Sequence, residues 1–218
     1  TDYTVITNNN KSLMTNAINT NLSTYLGINN NNNIETVFTV ISNLCFPKNT
    51  PIDTDQGIVV IENIDITRHT LNQKSIVAIT KTTSTDSYLI CFKKHALGTN
   101  YPKEDTVMSK EHKIKYNGHL IEANKFLHKF TGVYKVGYNG EILYNILLDK
   151  YSTIFVNKLQ CETLDPSNIV AKLYRNFNNI PEKNRLKIIE EINNYTIKKS
   201  KLNKSSNNNT LKQIKFTK

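Results

Sequence analysis

An all-β module over residues 45–165, followed by a short helical and basic C-terminal extension, is the architecture this sequence predicts. Three observations point to it. Between residues 45 and 165, short β-branched and aromatic runs alternate with turn residues at close, regular spacing. Two Asn-Gly pairs, Asn117-Gly118 and Asn139-Gly140, sit between such runs, and Asn-Gly is the strongest short hairpin signal because both turn positions need positive φ. The composition shifts at both borders, with Asn tracts before the module and Lys-rich sequence after it.

Residues 1–44 read as a polar leader or the end of an upstream domain. Asn8-Asn9-Asn10 and Asn29 to Asn33 have little capacity to form a core, while Leu22, Tyr25 and Leu26 could pack as a short helix. Within the module, Ile58 to Ile61 follows the turn Asp55-Gln56-Gly57. Strands are expected at Ser75 to Thr80 and Tyr88 to Phe92. Lys113 to Tyr116 and Leu120-Ile121 should form a hairpin across Asn117-Gly118, with a helical turn over Glu122 to Leu127. Val133 to Tyr138 runs into the second Asn-Gly turn and on to Ile142–Leu148. Ile154-Phe155-Val156 and Leu159 complete the set. In residues 166–218, Pro181-Glu182 opens a helix, since proline suits a first turn. Leu186, Ile189, Ile192 and Thr196 fall on one helical face, a stripe suited to docking on a neighbouring domain. From Lys198 onward the composition is that of a disordered tail.

Charge is unevenly placed. The chain carries a formal +10, yet residues 166–218 alone hold 12 Lys and Arg against 3 Asp and Glu. The body is therefore nearly neutral, and the tail could meet nucleic acid, an acidic protein or an anionic membrane surface. Mean hydropathy of −0.45 is lean but globular. No apolar run approaches the roughly 18 residues a membrane span needs, and Thr1-Asp2-Tyr3-Thr4 lacks a signal-peptide pattern. The absent initial Met suggests a fragment or a processed form. The Asn, Lys and Ile bias is that of an AT-rich genome. Cys45, Cys91 and Cys161 form no C-x-x-C pair and are odd in number, which argues against zinc and a disulfide framework. A reducing intracellular compartment fits, and no metal or cofactor is expected.

The chemistry-bearing residues are Cys45, at the start of the module, and Ser109-Lys110-Glu111-His112. A thiol can attack the carbonyl of the residue before it. A histidine can polarise that peptide bond and protonate the departing nitrogen. Together they mark Leu44–Cys45 as a bond the chain could cut in itself.

The arrangement resembles the Hint family, the autoprocessing domain shared by hedgehog proteins and inteins. Cys45-Phe46-Pro47-x-x-Thr50-x-Ile52-x-Thr54-x-x-Gly57 is similar to the family's opening block, and Ser109-Lys110-Glu111-His112-Lys113-Ile114 to its Thr-x-x-His block, with Ala123 and Leu127 beyond. The closing block matches Leu143-Tyr144-Asn145-Ile146, Ile154-Phe155-Val156-Asn157 and a last strand ending near Cys161. In flavour the sequence is similar to Hint modules of giant DNA viruses, which would place it in a virion or host cytoplasm. The departures carry meaning. Asn49 stands where Gly is usual, and Asn tolerates the left-handed backbone. Ser109 keeps the hydroxyl of the usual Thr. Gln160-Cys161-Glu162 replaces the closing Asn and nucleophile of a splicing intein, and no late His is present; Lys150 and Tyr151 lie there.

The resemblance implies a compact horseshoe β-module. It further implies an N-to-S acyl shift at Leu44–Cys45 and resolution of the thioester without splicing. The substrate would be the chain's own upstream polypeptide, and the second reactant water or an unidentified nucleophile. Cys45 would be the nucleophile, His112 the proton donor, and Ser109 the residue that orients the scissile peptide. Cys161, matching a hedgehog-like ending, Asp149 at a strand end and Thr50 in the opening block are auxiliary candidates. Cys91 reads as core, and His69, His95, His119 and His128 lack a motif. The alternatives are a degenerate Hint fold serving as a structural or interaction module, and a nucleic-acid binder acting through the tail.

Overall fold

The computed structural model describes residues 40–206 of the chain, with side chains through residue 198. The expected leader helix around Leu22 and the tail beyond Ser206 lie outside the described residues.

Fourteen short strands follow in order among the described residues. They are β1 (Val40–Ile41), β2 (Phe46–Pro47), β3 (Pro51–Thr54), β4 (Gly57–Val60), β5 (Thr70–Leu71), β6 (Lys74–Thr83), β7 (Tyr88–Phe92), β8 (Thr106–Met108), β9 (Lys113–Tyr116), β10 (His119–Glu122), β11 (Val133–Gly137), β12 (Leu143–Leu148), β13 (Thr153–Val156) and β14 (Leu159–Glu162). A 3-10 turn, Ala123–Phe126, supplies the expected helical turn. Two helices follow β14 among the described residues, α1 (Ile169–Asn176) and α2 (Glu182–Ser206).

The main sheet has the order β1-β6-β12-β2, with β5 on β6. A second sheet runs β10-β9-β14-β13 and a third β11-β7-β8, while β3 and β4 form a separate hairpin. One large core joins them, with Phe46, Phe92, Met108, Ile114, Phe126 and Ile146 fully buried. Every residue of β12 is buried, which suits an apolar run inside a sheet.

Asn117-Gly118 makes the expected hairpin, with φ of 48° and 82° and His119 opposite Tyr116. The second Asn-Gly pair does not. Strand β11 pairs with β7 and β12 with β6 and β2, so Asn139-Gly140 is a connection between sheets. Tyr138 fixes it: its buried ring places the hydroxyl to donate to Glu141 O at 2.7 Å and accept from Ser84 N–H at 3.1 Å. A hairpin at Asn157-Lys158, both with positive φ, joins β13 to β14.

The C-terminal extension differs from expectation in two ways. Helix α1 was not anticipated; its Asn168 cap accepts from Val170 N–H at 2.9 Å. Helix α2 begins after Pro181 as expected but continues to Ser206, through sequence whose composition suggests disorder. Of its stripe, Ile189 and Ile192 are buried, whereas Leu186 is 65% exposed. No described helix is long and apolar enough to cross a membrane.

Candidate active site

Strands β1 and β2 lie on opposite sides of the β6–β12 pair, so residues 42–45 must cross the end of that pair. In the register, Thr82 faces Leu143 and Thr80 faces Asn145. Directly opposed residues share a face, and so do residues two apart, so Thr82 and Asn145 project toward the same side. The crossing segment runs there.

The Leu44–Cys45 peptide is gripped at both ends. The carbonyl oxygen of Leu44 accepts from Asn145 Nδ2 in a short hydrogen bond. The amide of Cys45 donates to Ser109 Oγ at 2.8 Å. Ser109 Oγ in turn donates to Asn43 O at 2.7 Å, and Ser109 N–H donates to Cys45 O at 2.9 Å. The Cys45 sulfur lies 3.0 Å from Thr82 Oγ1 and 3.9 Å from Ser42 O. Cys45, Ser109, His112 and Asn145 are each fully buried.

Local sequence explains each placement. Ser109 and His112 bracket a tight turn, closed by His112 N–H to Ser109 O at 3.1 Å. Lys110 anchors the turn through Asp86 at 2.7 Å, with Asp86 only 3% exposed. Asn145 is the single polar residue in the buried strand Leu143–Leu148. Leaving its amide unpaired would cost about 1–3 kcal/mol, so its bonds to Leu44 O and from Ile146 N–H at 2.7 Å are needed for the strand as well as for the junction. Asn49, where the resemblance implies Gly, adopts φ 64°. Its amide donates to the Glu62 carboxylate at 2.9 and 3.1 Å.

The electrostatics follow burial. Desolvation pushes the Cys45 thiol up to about 11, against smaller lowering contributions from Thr82, Ser42 and the Leu44 main chain. Desolvation holds the His112 ring down to about 3, against a smaller upward pull from the Glu162 main chain. The ring packs on Phe46 with centroids 4.2 Å apart, and among the described residues neither ring nitrogen has a partner of hydrogen-bond geometry. In this arrangement Ser109, and not His112, holds the Cys45 N–H.

A cavity of about 730 Å³ opens beside the junction, lined by Asn43, Leu44, Glu111, Lys113, Tyr151 and Glu162 among others. Burial raises the Glu111 carboxyl above its usual range. Tyr151 donates to Glu162 Oε2 at 2.6 Å.

The auxiliary candidates lie elsewhere. Thr50 Oγ1 donates to Pro47 O at 2.7 Å and closes the opening turn. Cys161 sits in the large core opposite Ile154, with its sulfur on Leu159 O at 3.7 Å. Asp149 follows the end of β12 remote from Leu143, is 78% exposed, and pairs with Arg175 at 3.4 Å. Cys91 is buried in β7, and all three cysteines are free. Among the described residues no group of His, Cys, Asp and Glu is placed to hold a metal ion.

Sequence reasoning did not select Thr82 or Asn145. A signal for Asn145 was present, since an amide inside an apolar strand-length run needs a specific partner. Thr82 offered none, because threonine is ordinary in strands.

No curated protein matches the chain. Among solved structures, similarity extends to a bacterial intein-like domain from Clostridium thermocellum, at 16% identity and a TM-score of 0.45, covering 56% of this chain and 100% of that one. A variant of the Ssp DnaB mini-intein matches at 9% identity and a TM-score of 0.40, covering 55% and 93%. A splice-inactive AceL NrdHF class 3 split intein matches at 13% and 0.36, covering 55% and 96%. The family model described as the Hint domain matches residues 44–168. That is more than half of the chain, and the chain belongs to the Hint domain family.

Proposed function

We propose that this Hint domain cuts its own Leu44–Cys45 bond through an N-to-S acyl shift and does not splice. The observation that carries the reading is the buried grip on that one peptide: Asn145 on its carbonyl oxygen, Ser109 on its N–H, and the Cys45 thiol against Thr82.

The Cys45 sulfur attacks the Leu44 carbonyl carbon. Charge developing on the oxygen is stabilised by Asn145 Nδ2, a donor already in place and shielded from water. Ser109 holds the nitrogen in line. The C–N bond breaks, and the thiol proton ends on the nitrogen as the new Cys45 amine. His112 is the proposed carrier. Its ring is uncharged at neutral pH, and once protonated it would be a strong acid toward the departing nitrogen. The thioester then yields to water or another nucleophile, which the cavity beside Leu44 can admit. Burial holds the thiol near 11, so Cys45 enters the reaction as the thiol and must pass its proton to a base. Gln160-Cys161-Glu162 offers no closing Asn, and Cys161 is packed in the core, which supports cleavage without release of a downstream piece.

The domain boundaries proposed are residues 1–44 as leader, 45–165 as the processing module and 166–218 as its extension. The composition supports an origin in an AT-rich genome such as a giant DNA virus, and the basic tail supports a weak nucleic-acid contact.

A second reading is a Hint fold that no longer cuts and serves as an interaction module. The His112 ring, which makes no hydrogen bond to the Cys45 nitrogen held by Ser109, favours it. Intact mass spectrometry of the full chain separates the two. A fragment beginning at Cys45, absent from Cys45→Ala and increased by added thiol, supports cleavage. A single uncut mass under every condition overturns it.

A further inference from the structure

The matched family region ends at residue 168, yet the helices beyond it reach back to the leader side of the junction. Strand β1 lies parallel to β6, with Val40 opposite Thr82 and Ile41 opposite Thr83. The amide of Ser42 donates inward, to Thr83 O at 2.8 Å. The amide of Ile41 points the other way and donates to Asn193 Oδ1 of α2 at 2.9 Å. The leader strand is thus held on both edges, by a sheet on one side and a helix side chain on the other. Helix α2 packs on β1, with Ile189 and Ile192 buried and Val40 fully buried. Helix α1 prepares the same edge. Its Tyr174 hydroxyl accepts from Lys81 N–H at 2.7 Å and donates to Lys81 O at 2.8 Å, capping β6 just before β1 docks. Tyr195 and Thr196 of α2 also line the cavity that contains Leu44.

We propose that the C-terminal helices form a peptide-binding groove for the leader. Its ligand is the segment Val40–Leu44, extended at Val40–Ile41 and bent at Asn43–Leu44, held by strand addition to β6 and by Asn193, and it stays bound after the Leu44–Cys45 bond is cut. Strand addition takes most of its affinity from main-chain hydrogen bonds, so the groove would keep an acyl segment whose covalent link has gone. Asn193 is a positioning residue: it touches the leader backbone and no reacting atom.

Docking can be tested without cleavage, whereas retention rests on the autoprocessing reading, so two experiments keep them apart. In the uncleavable full chain Cys45→Ala, amide exchange is followed at Ile41 and Ser42. With Asn193→Ala added, Ile41 exchange should rise about fivefold or more, as expected for a lost hydrogen bond of about 1 kcal/mol, and Ser42 should change less. Asn193→Asp keeps an acceptor oxygen and should restore protection at Ile41. Unchanged Ile41 exchange in Asn193→Ala overturns the groove, and equal loosening in both variants reduces Asn193 to general packing and overturns its assigned role. In the second experiment the Cys45-containing chain is treated with hydroxylamine, which captures a thioester, and passed over a sizing column under native conditions. Co-elution of the two fragments, weakened in Asn193→Ala and restored in Asn193→Asp, supports retention. Separation of wild-type fragments overturns retention. No cleavage at all overturns retention together with the autoprocessing reading and leaves the exchange result to judge the groove.

Discussion

Cys45 and Cys161 are both fully buried and both free, and burial raises both thiols above the ordinary range. Their settings differ. Cys161 lies among apolar side chains of the large core and leans on Leu159 O. Cys45 lies in a small satellite cluster with Leu89, Tyr138 and Leu143, where Thr82 meets its sulfur and Ser109 and Asn145 hold the peptide before it. Burial alone makes a thiol inert. What distinguishes Cys45 is the set of donors and acceptors fixed around the bond before it.

The largest expected effect tests that difference directly. Cys45→Ala should abolish the fragment starting at residue 45. Cys161→Ala should leave the cleavage rate within about threefold while lowering the urea midpoint, through a small core cavity worth about 1–2 kcal/mol. Fragment yield by mass spectrometry reads the first and chemical denaturation the second. Cleavage that survived Cys45→Ala but failed in Cys161→Ala would reverse the assignment.

Next in size is the donor on the Leu44 carbonyl. Asn145→Ala should slow cleavage about 10²–10³-fold, the usual cost of removing a preorganised donor from an oxyanion site. It should also cost stability, because Ile146 N–H loses the acceptor Asn145 Oδ1 inside the sheet. Single-turnover rates at a denaturant-free temperature well below unfolding separate the two effects. A rate unchanged in Asn145→Ala would mean that the amide serves the strand alone.

Comparing the junction with the rest of the module also shows what a sequence can disclose. Hairpin β9–β10 and strand β7 were legible because turn chemistry and alternation are local. Ser109 was legible as a hydroxyl three residues before a histidine, and the structure does bring it to Cys45. The partner of β12 was not, since Asn139-Gly140 looks like any hairpin turn until Tyr138 is seen to be buried and bonded to Ser84. Asn145 reaches Leu44 only because two strands flank the β6–β12 pair and the chain crosses its end. Nor does local pattern reveal that Val40 and Ile41, read as leader, complete the main sheet. Such relations depend on strand order, which local pattern does not encode.

A third effect concerns acidity at the junction. With the Cys45 thiol pushed up to about 11, the thiolate fraction grows with pH throughout the accessible range. Because His112 is proposed to take the thiol proton and return it to the nitrogen, the reacting pair is thiol plus neutral ring, and cleavage should change little from pH 7 to 9 despite that growth. A rate that climbs about tenfold per pH unit in that window would mean that the thiol loses its proton to solvent, which would take His112 out of the first step.

The smallest effect separates the chemistry of His112 from its contribution to folding. Its ring is fully buried and uncharged, with a pKa of about 3 against an ordinary 6.5. A depressed folded-state pKa means that the unfolded chain takes the proton first. The stabilisation is complete above about pH 6.5 and is lost as the pH falls through the folded value near 3, with a limiting slope of about 1.4 kcal/mol per pH unit. His112→Phe retains an aromatic ring against Phe46 and removes the titration. Its urea midpoint should fall less steeply than that of the wild type between pH 6 and pH 4, while the wild type remains the faster cleaver at pH 8. Parallel stability curves would show that the ring is solvated or paired in solution. Equal cleavage rates at pH 8 would remove His112 from the proton path and leave it as a core residue beside the junction.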